Sequence, residues 1–217
     1  MTVAIHVAQH VGVFGKMFPV PAEQSTPCAW TGLTPSSGRL LVASTTLHEP
    51  TFARTIVYLL EHDGGGTVGV VLNRPSHTPV GQVLPDWQDV VSEPSVIFGG
   101  GPVMPDGALC LAQLKGRHSD DGPGVRRVAG RLATVDLDGD VDTIQESTTR
   151  LRVFAGHSGW AAGQLADEME AGSWYVVDGQ LDDAFTLEPS TLWRQVLRRQ
   201  PMPLRVVSTY PKELGLN

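Results

Sequence analysis

Thr55-Ile56-Val57-Tyr58-Leu59-Leu60-Glu61, then Asp63-Gly64-Gly65-Gly66, then Thr67-Val68-Gly69-Val70-Val71-Leu72-Asn73 decide the fold class. Two β-branched, apolar runs separated by a glycine turn predict a β-hairpin. The same glycines match the G-x-G-x-x-G string of dinucleotide-binding folds over Gly64-Gly65-Gly66-Thr67-Val68-Gly69. That chemistry requires a helix after the glycines, so that its N-terminus faces a pyrophosphate. A strand follows here, and no nucleotide cofactor is expected.

Working outward, further strands are expected over residues 39–44, 95–98, 108–112, 131–137, 151–155 and 173–177. Glu49-Pro50-Thr51-Phe52-Ala53 reads as one helical turn with Pro50 near its first position. A short helix fits residues 79–84. Two clearer helices are expected. In residues 160–171, Ala162, Leu165, Ala166 and Met169 share a face and Gly172 stops the run. In residues 189–199, Leu192, Trp193, Val196 and Leu197 form the apolar stripe, with Arg194, Arg198 and Arg199 toward the C-terminal end. Residues 118–124 read as a polar loop. Many strands and few helices, without strict alternation, predict an α+β fold. Residues 1–37, with Pro19, Pro21, Pro27 and Pro35 among Ser, Thr and Gly, read as an N-terminal arm or linker. The folded body is expected over residues 38–217.

Composition excludes several function classes. Acidic residues outnumber basic ones 23 to 16, a net charge of −7 that argues against direct nucleic-acid binding. Cys28 and Cys110 are far apart and form no C-x-x-C unit, so neither a disulfide framework nor a structural zinc site is expected. Cys110, inside Ala108-Leu109-Cys110-Leu111-Ala112, reads as a buried, inert thiol. No apolar stretch approaches the roughly 18 residues of a membrane helix. The N-terminus has no basic region ahead of an apolar run, and the cytoplasm is the expected compartment.

Gly156-His157-Ser158-Gly159 sits between an expected strand and an expected helix, as a hydrolase nucleophile elbow does. The elbow string is G-x-S-x-G, and Trp160 occupies its last position. In that enzyme class the catalytic His follows the Ser, whereas all seven histidines here precede Ser158. The expected role of Ser158 or Gly159 is to cap the following helix. His48-Glu49 and Glu61-His62-Asp63 lack the i, i+4 His spacing of a helical zinc site, and no metal is expected.

In order along the chain come Leu40-Leu41-Val42-Ala43, Glu49 to Thr55, Glu61-His62-Asp63 through Asn73-Arg74-Pro75, Gly99 to Val103, and Gly156 to Glu168 with Trp174. Together they resemble the AlgH/YqgE family of bacterial proteins across roughly residues 38–217. Ala108 to Ala112 and Leu197-Arg198-Arg199-Gln200-Pro201 give the resemblance an actinobacterial cast. It implies an α+β body with a bulged, branching, mostly antiparallel mixed sheet and flanking helices. It implies no agreed activity; the family takes its name from a proposed role in transcriptional control. The family's commoner Tyr-Ala stands here as His157-Ser158, which speaks against an essential chemical role at either position.

Each candidate site residue carries two readings. Arg74, after Asn73, offers a planar fork for a carboxylate or phosphate, or pairs with Asp63 or Glu61 to pin the turn. Gly100 and Gly101 either present N–H groups as an anion nest or permit close packing. His157 and Trp160 lie beside them, Trp160 reading as a packing anchor. Gln164 and Glu168, one helical turn apart, face a cleft or solvent. The favoured reading is a non-enzymatic binding or regulatory module for a protein or small anion, built on these residues with His62 and Asp63. The alternative is an enzyme using His62, Asp63, Arg74 and Glu168. A third reading, DNA binding through Arg194, Arg198, Arg199 and Arg205, conflicts with the charge balance.

Overall fold

The computed structural model describes residues 32–116 and 122–211. Most of the expected arm and much of the expected 118–124 loop therefore lie outside the described residues. The hairpin forms as read. Strand β1 (Arg39–Ala43) leads into β2 (Ile56–Asp63), which pairs antiparallel with β3 (Gly66–Val71), with a bulge between Leu59 and Glu61. Then follow β4 (Pro75–Pro79), β5 (Val96–Gly99), β6 (Val103–Leu114), β7 (Val125–Ala129) and β8 (Leu132–Val135). The short helix α1 (Val141–Ser147) precedes the long strand β9 (Thr148–Ala161). Helix α2 (Gln164–Glu170), strand β10 (Trp174–Asp178), α3 (Leu192–Arg198) and α4 (Leu204–Val207) complete the described chain. No described helix is long and apolar enough to cross a membrane.

These strands make one curled sheet in the order β10-β1-β2-β3-β9-β6-β8-β7, with β5 lying along β9 and β4 outside β5. All pairings are antiparallel except β5 with β9. Strand β4, Pro75-Ser76-His77-Thr78-Pro79, escapes sequence reading because it is polar and bears two prolines, which strands accept only at edges. Strand β7 and helices α1 and α4 are also additions to the sequence reading. The helix expected over 160–171 begins only at Gln164, because Trp160 and Ala161 stay in β9 to pair with Thr67 and Gly66. Ser158 and Gly159 are accordingly strand residues, and Gly163 holds the position before the helix.

Strand β9 organises the sheet. One of its edges pairs with β6; the other pairs with β3 over Ser158–Ala161 and with β5 at Phe154 and Ala155. The hand-over from β3 to β5 falls at Gly156-His157, and Gly100 fills the gap. Its N–H donates to the Ala155 carbonyl at 2.8 Å, and its carbonyl accepts from the Val71 N–H at 2.9 Å and the Ser158 hydroxyl at 3.1 Å. Backbone here runs against backbone. A Cβ on Gly100 or Gly101 would stand 2.3 Å from the carbonyl oxygen of Gly156 or His157, and one on Gly156 would stand 2.6 Å from that of Gly101. Gly156 also has φ +67°, a region that L side chains rarely adopt.

Two apolar clusters lie on either side of this junction. One joins Leu41, Val57, Leu59, Val71, Trp160, Leu165, Trp174 and Val176. The other joins Val80, Trp87, Cys110, Val135, Ile144, Leu151 and Val153. Cys110 is free and fully buried, and burial pushes its thiol up to about 12, which keeps it protonated and inert as expected. Opposite Leu151 and Val153 on β9, Arg152 is 1% exposed. It donates to the carbonyls of Ala184 (3.0 Å), Glu93 (2.7 Å) and Thr186 (3.1 Å) and sits 4.4 Å from the Phe98 ring centroid. Burial, with a smaller repulsion from Arg150, lowers its pKa to about 10, so it remains charged at neutral pH.

The junction predicts that Gly156→Ala adds steric overlap with backbone to a strained φ. Urea denaturation should show a loss of about 3 kcal/mol or more. A loss under about 1 kcal/mol, or the gain of about 0.4–1 kcal/mol that Gly→Ala gives at a compatible position, would show that the junction yields.

Candidate functional site

The candidate residues separate into two groups along β9. The first surrounds the glycine junction. Asn73 is buried; its side-chain oxygen accepts from the Ile56 N–H at 3.0 Å and its amide donates to the Arg54 carbonyl at 2.9 Å. Half-buried Arg74 donates to the Ala53 carbonyl at 2.6 Å, and burial lowers its pKa from the ordinary value. The expected pairing of Arg74 with Asp63 or Glu61 does not form. Glu61 instead binds Arg126, and Asp63 accepts the Gly65 N–H at 2.7 Å inside the hairpin turn. Asn73 and Arg74, just past the end of β3, thus lace the 53–56 backbone to it.

Gly100 and Gly101 take the packing role. The Gly100 N–H is consumed by Ala155, so the nest reading loses that donor. His157 is half-buried opposite Val103, and burial lowers its pKa. Strand alternation places it on the face away from Ser158 and Trp160. Burial confirms the alternation, with Ser158 and Trp160 buried and Gly159 exposed. The Ser158 hydroxyl is buried and donates to the Gly100 carbonyl.

The second group is built around Glu168. Trp160 is 5% exposed and its indole N–H donates to Glu168 Oε2 at 2.9 Å; the Trp174 indole donates to the same oxygen at 2.8 Å. Gln164 bridges strand and helix: its oxygen accepts from the Ala161 N–H at 3.0 Å, and its amide donates to Glu168 Oε1 at 2.9 Å. Glu168 therefore does not simply face solvent; it satisfies two buried indoles. Phe52 completes the cluster, its ring 6.0 Å from Trp160 and 5.5 Å from Trp174, with the two indoles edge-on at 5.9 Å. Phe52 is delivered by the helical turn read at 49–53, where the Glu49 carboxylate accepts the Thr51 and Phe52 N–H groups at 3.0 Å each. Exposed His62 lies across the hairpin from Thr67, its Nδ1 2.7 Å from the Thr67 hydroxyl, and Thr67 in turn pairs with Trp160.

Sequence reading left Phe52 and Trp174 out of the Trp160 group, although both lie in quoted motifs; their convergence depends on β10 crossing to β1. Of the four arginines considered for DNA, Arg199 forms a two-pronged pair with buried Asp183 (2.6 and 2.5 Å) and Arg194 donates to the Tyr210 carbonyl at 3.4 Å. Among the described residues no three His, Cys, Asp or Glu side chains gather to hold a metal. A cavity of about 210 Å³ lined by Pro123, Val125 and Ile144, with their neighbours, shares no residue with either group.

Comparison with known proteins agrees with the sequence resemblance. An AlgH-like family model matches residues 40–205. UPF0301 proteins of Mycobacteroides abscessus and Mycobacterium tuberculosis are each 48% identical over 182 residues, or 83% of this chain and 88% and 90% of theirs. A crystal structure of a Corynebacterium diphtheriae protein superposes with a TM-score of 0.78 at 34% identity, covering 82% of this chain and 94% of that one. The solution structure of the AlgH protein of Pseudomonas aeruginosa gives a TM-score of 0.60 at 25% identity, covering 83% and 98%.

Removing the Glu168 carboxylate leaves two buried indole N–H groups unpaired. Glu168→Ala should cost about 2–4 kcal/mol in urea denaturation, with a change in tryptophan fluorescence of the folded state. An unchanged stability would free Glu168 for a role outside the scaffold.

Proposed function

The chain belongs to the AlgH-like family of bacterial proteins, and from that premise we propose that it is a non-enzymatic binding module with a regulatory role exerted through a protein partner. The observation that carries this reading is the state of Ser158. A nucleophilic hydroxyl needs access to substrate and a base within hydrogen-bond reach. Ser158 is instead fully buried, its hydroxyl is held by the Gly100 carbonyl, and adjacent His157 faces the other side of the strand. The other polar candidates support the same view. Asn73 and Arg74 hold backbone, and Glu168 holds indoles.

A regulatory role through protein contact also fits the arginines better than one through DNA. Phosphate-backbone affinity grows with the number of cations free to neutralise phosphates. Arg199 is committed to Asp183, and the chain carries a net charge of −7. Treatment of the full chain with a fluorophosphonate probe should leave it unlabelled. Stoichiometric labelling that disappears in Ser158→Ala would overturn the non-enzymatic reading.

A further inference from the structure

We infer that the outer side of α4 and its flanking turns docks an acidic amphipathic segment of a protein partner. This rests on the binding-module reading and names the surface that reading requires. Residues 201–210 wind through successive helical turns, with Arg205 N–H donating to Pro201, Val206 to Pro203, Thr209 to Val206 and Tyr210 to Val207. Leu204 and Ser208, four apart, are buried on the inner side. Met202 and Tyr210 in the flanking turns and Val206 on α4 are 65%, 49% and 46% exposed and alternate with buried Leu204 and Ser208, so they line the outer side. A single exposed apolar residue is ordinary; three within nine residues of one outward-facing segment form a stripe that marks a contact surface.

Cations border the stripe. Exposed Arg205 lies next to Val206, and the guanidinium groups of Arg54 and Arg194 both donate to the Tyr210 carbonyl, at 3.3 and 3.4 Å. Arg54 stacks 4.5 Å from the Trp193 ring centroid, which fixes it at that end. Among the described residues no carboxylate forms an ion pair with any of the three. A chain with seven excess negative charges thus gathers positive charge around one apolar stripe. Complementarity selects an occupant with apolar side chains flanked by Asp or Glu. An anionic bilayer suits the patch less well, because its surface potential repels the net charge of the whole chain.

The test is selection of a displayed random-peptide library on the immobilised full chain. Enriched sequences are then measured as synthetic peptides against the wild type, Arg205→Glu and Val206→Asp, with thermal melting to confirm that both exposed-site variants fold. The inference expects enriched peptides that combine net negative charge with apolar residues and bind each variant at least about tenfold more weakly. No enrichment, or enrichment of neutral or basic peptides, would overturn it. So would phosphatidylserine vesicles or a second copy of the chain binding this face in place of peptide. Acidic peptides that bind both variants as well as wild type would sink this surface while leaving the binding-module reading intact, which only labelling of Ser158 contradicts.

Discussion

Everything in this fold depends on one strand changing neighbours. Along a single edge, β9 pairs with β3 and then with β5, and the change is possible only where three backbones come within contact distance. Gly100 ties them, giving its N–H to β9 and its carbonyl to the end of β3 and to Ser158. Any side chain at Gly100, Gly101 or Gly156 would fill the space that these hydrogen bonds need. Glycine density that looks like a ligand-binding signature is thus explained by steric demand at a branch in the sheet.

The two parts of the sheet on either side of this branch are stabilised differently. On the β3 side, aromatic packing dominates, with Trp160, Trp174 and Phe52 in mutual contact and Glu168 satisfying the indole donors. On the β5 side, buried Arg152 takes its partners from three backbone carbonyls and an aromatic face. Among the described residues no carboxylate pairs with this buried cation, and its three carbonyls anchor the segments at Glu93 and at 184–186 to β9. Both devices turn side chains with chemical potential into parts of the frame.

Much of the sheet was legible because its strands are β-branched and apolar, and the hairpin at 55–73 is bounded by a glycine turn. The quoted motifs also carried the family. What escaped had no local signal. Strand β4 is polar and proline-flanked, and Arg152 sits in an alternation, Arg150-Leu151-Arg152-Val153-Phe154, that by itself places arginine in solvent. The candidate site was legible only as a list of residues. Trp160 was read rightly as a packing anchor, but its placement in a helix hid the fact that Glu168 reaches back to it. Sequence offers Arg74 either an anion or an acidic partner in the hairpin, as turn arginines commonly have; in the fold it binds the Ala53 carbonyl.

Amide hydrogen exchange of the native chain tests the branch-point account most directly. The Gly100 and Val71 N–H groups lie in buried hydrogen bonds that hold the sheet together. Both should therefore exchange only through global unfolding, with opening free energies within about 1 kcal/mol of the stability measured by denaturation. Exchange of the Gly100 amide at the rate of the exposed Gly64 amide would contradict it, and would return the glycine run to the role of an open, ligand-ready loop.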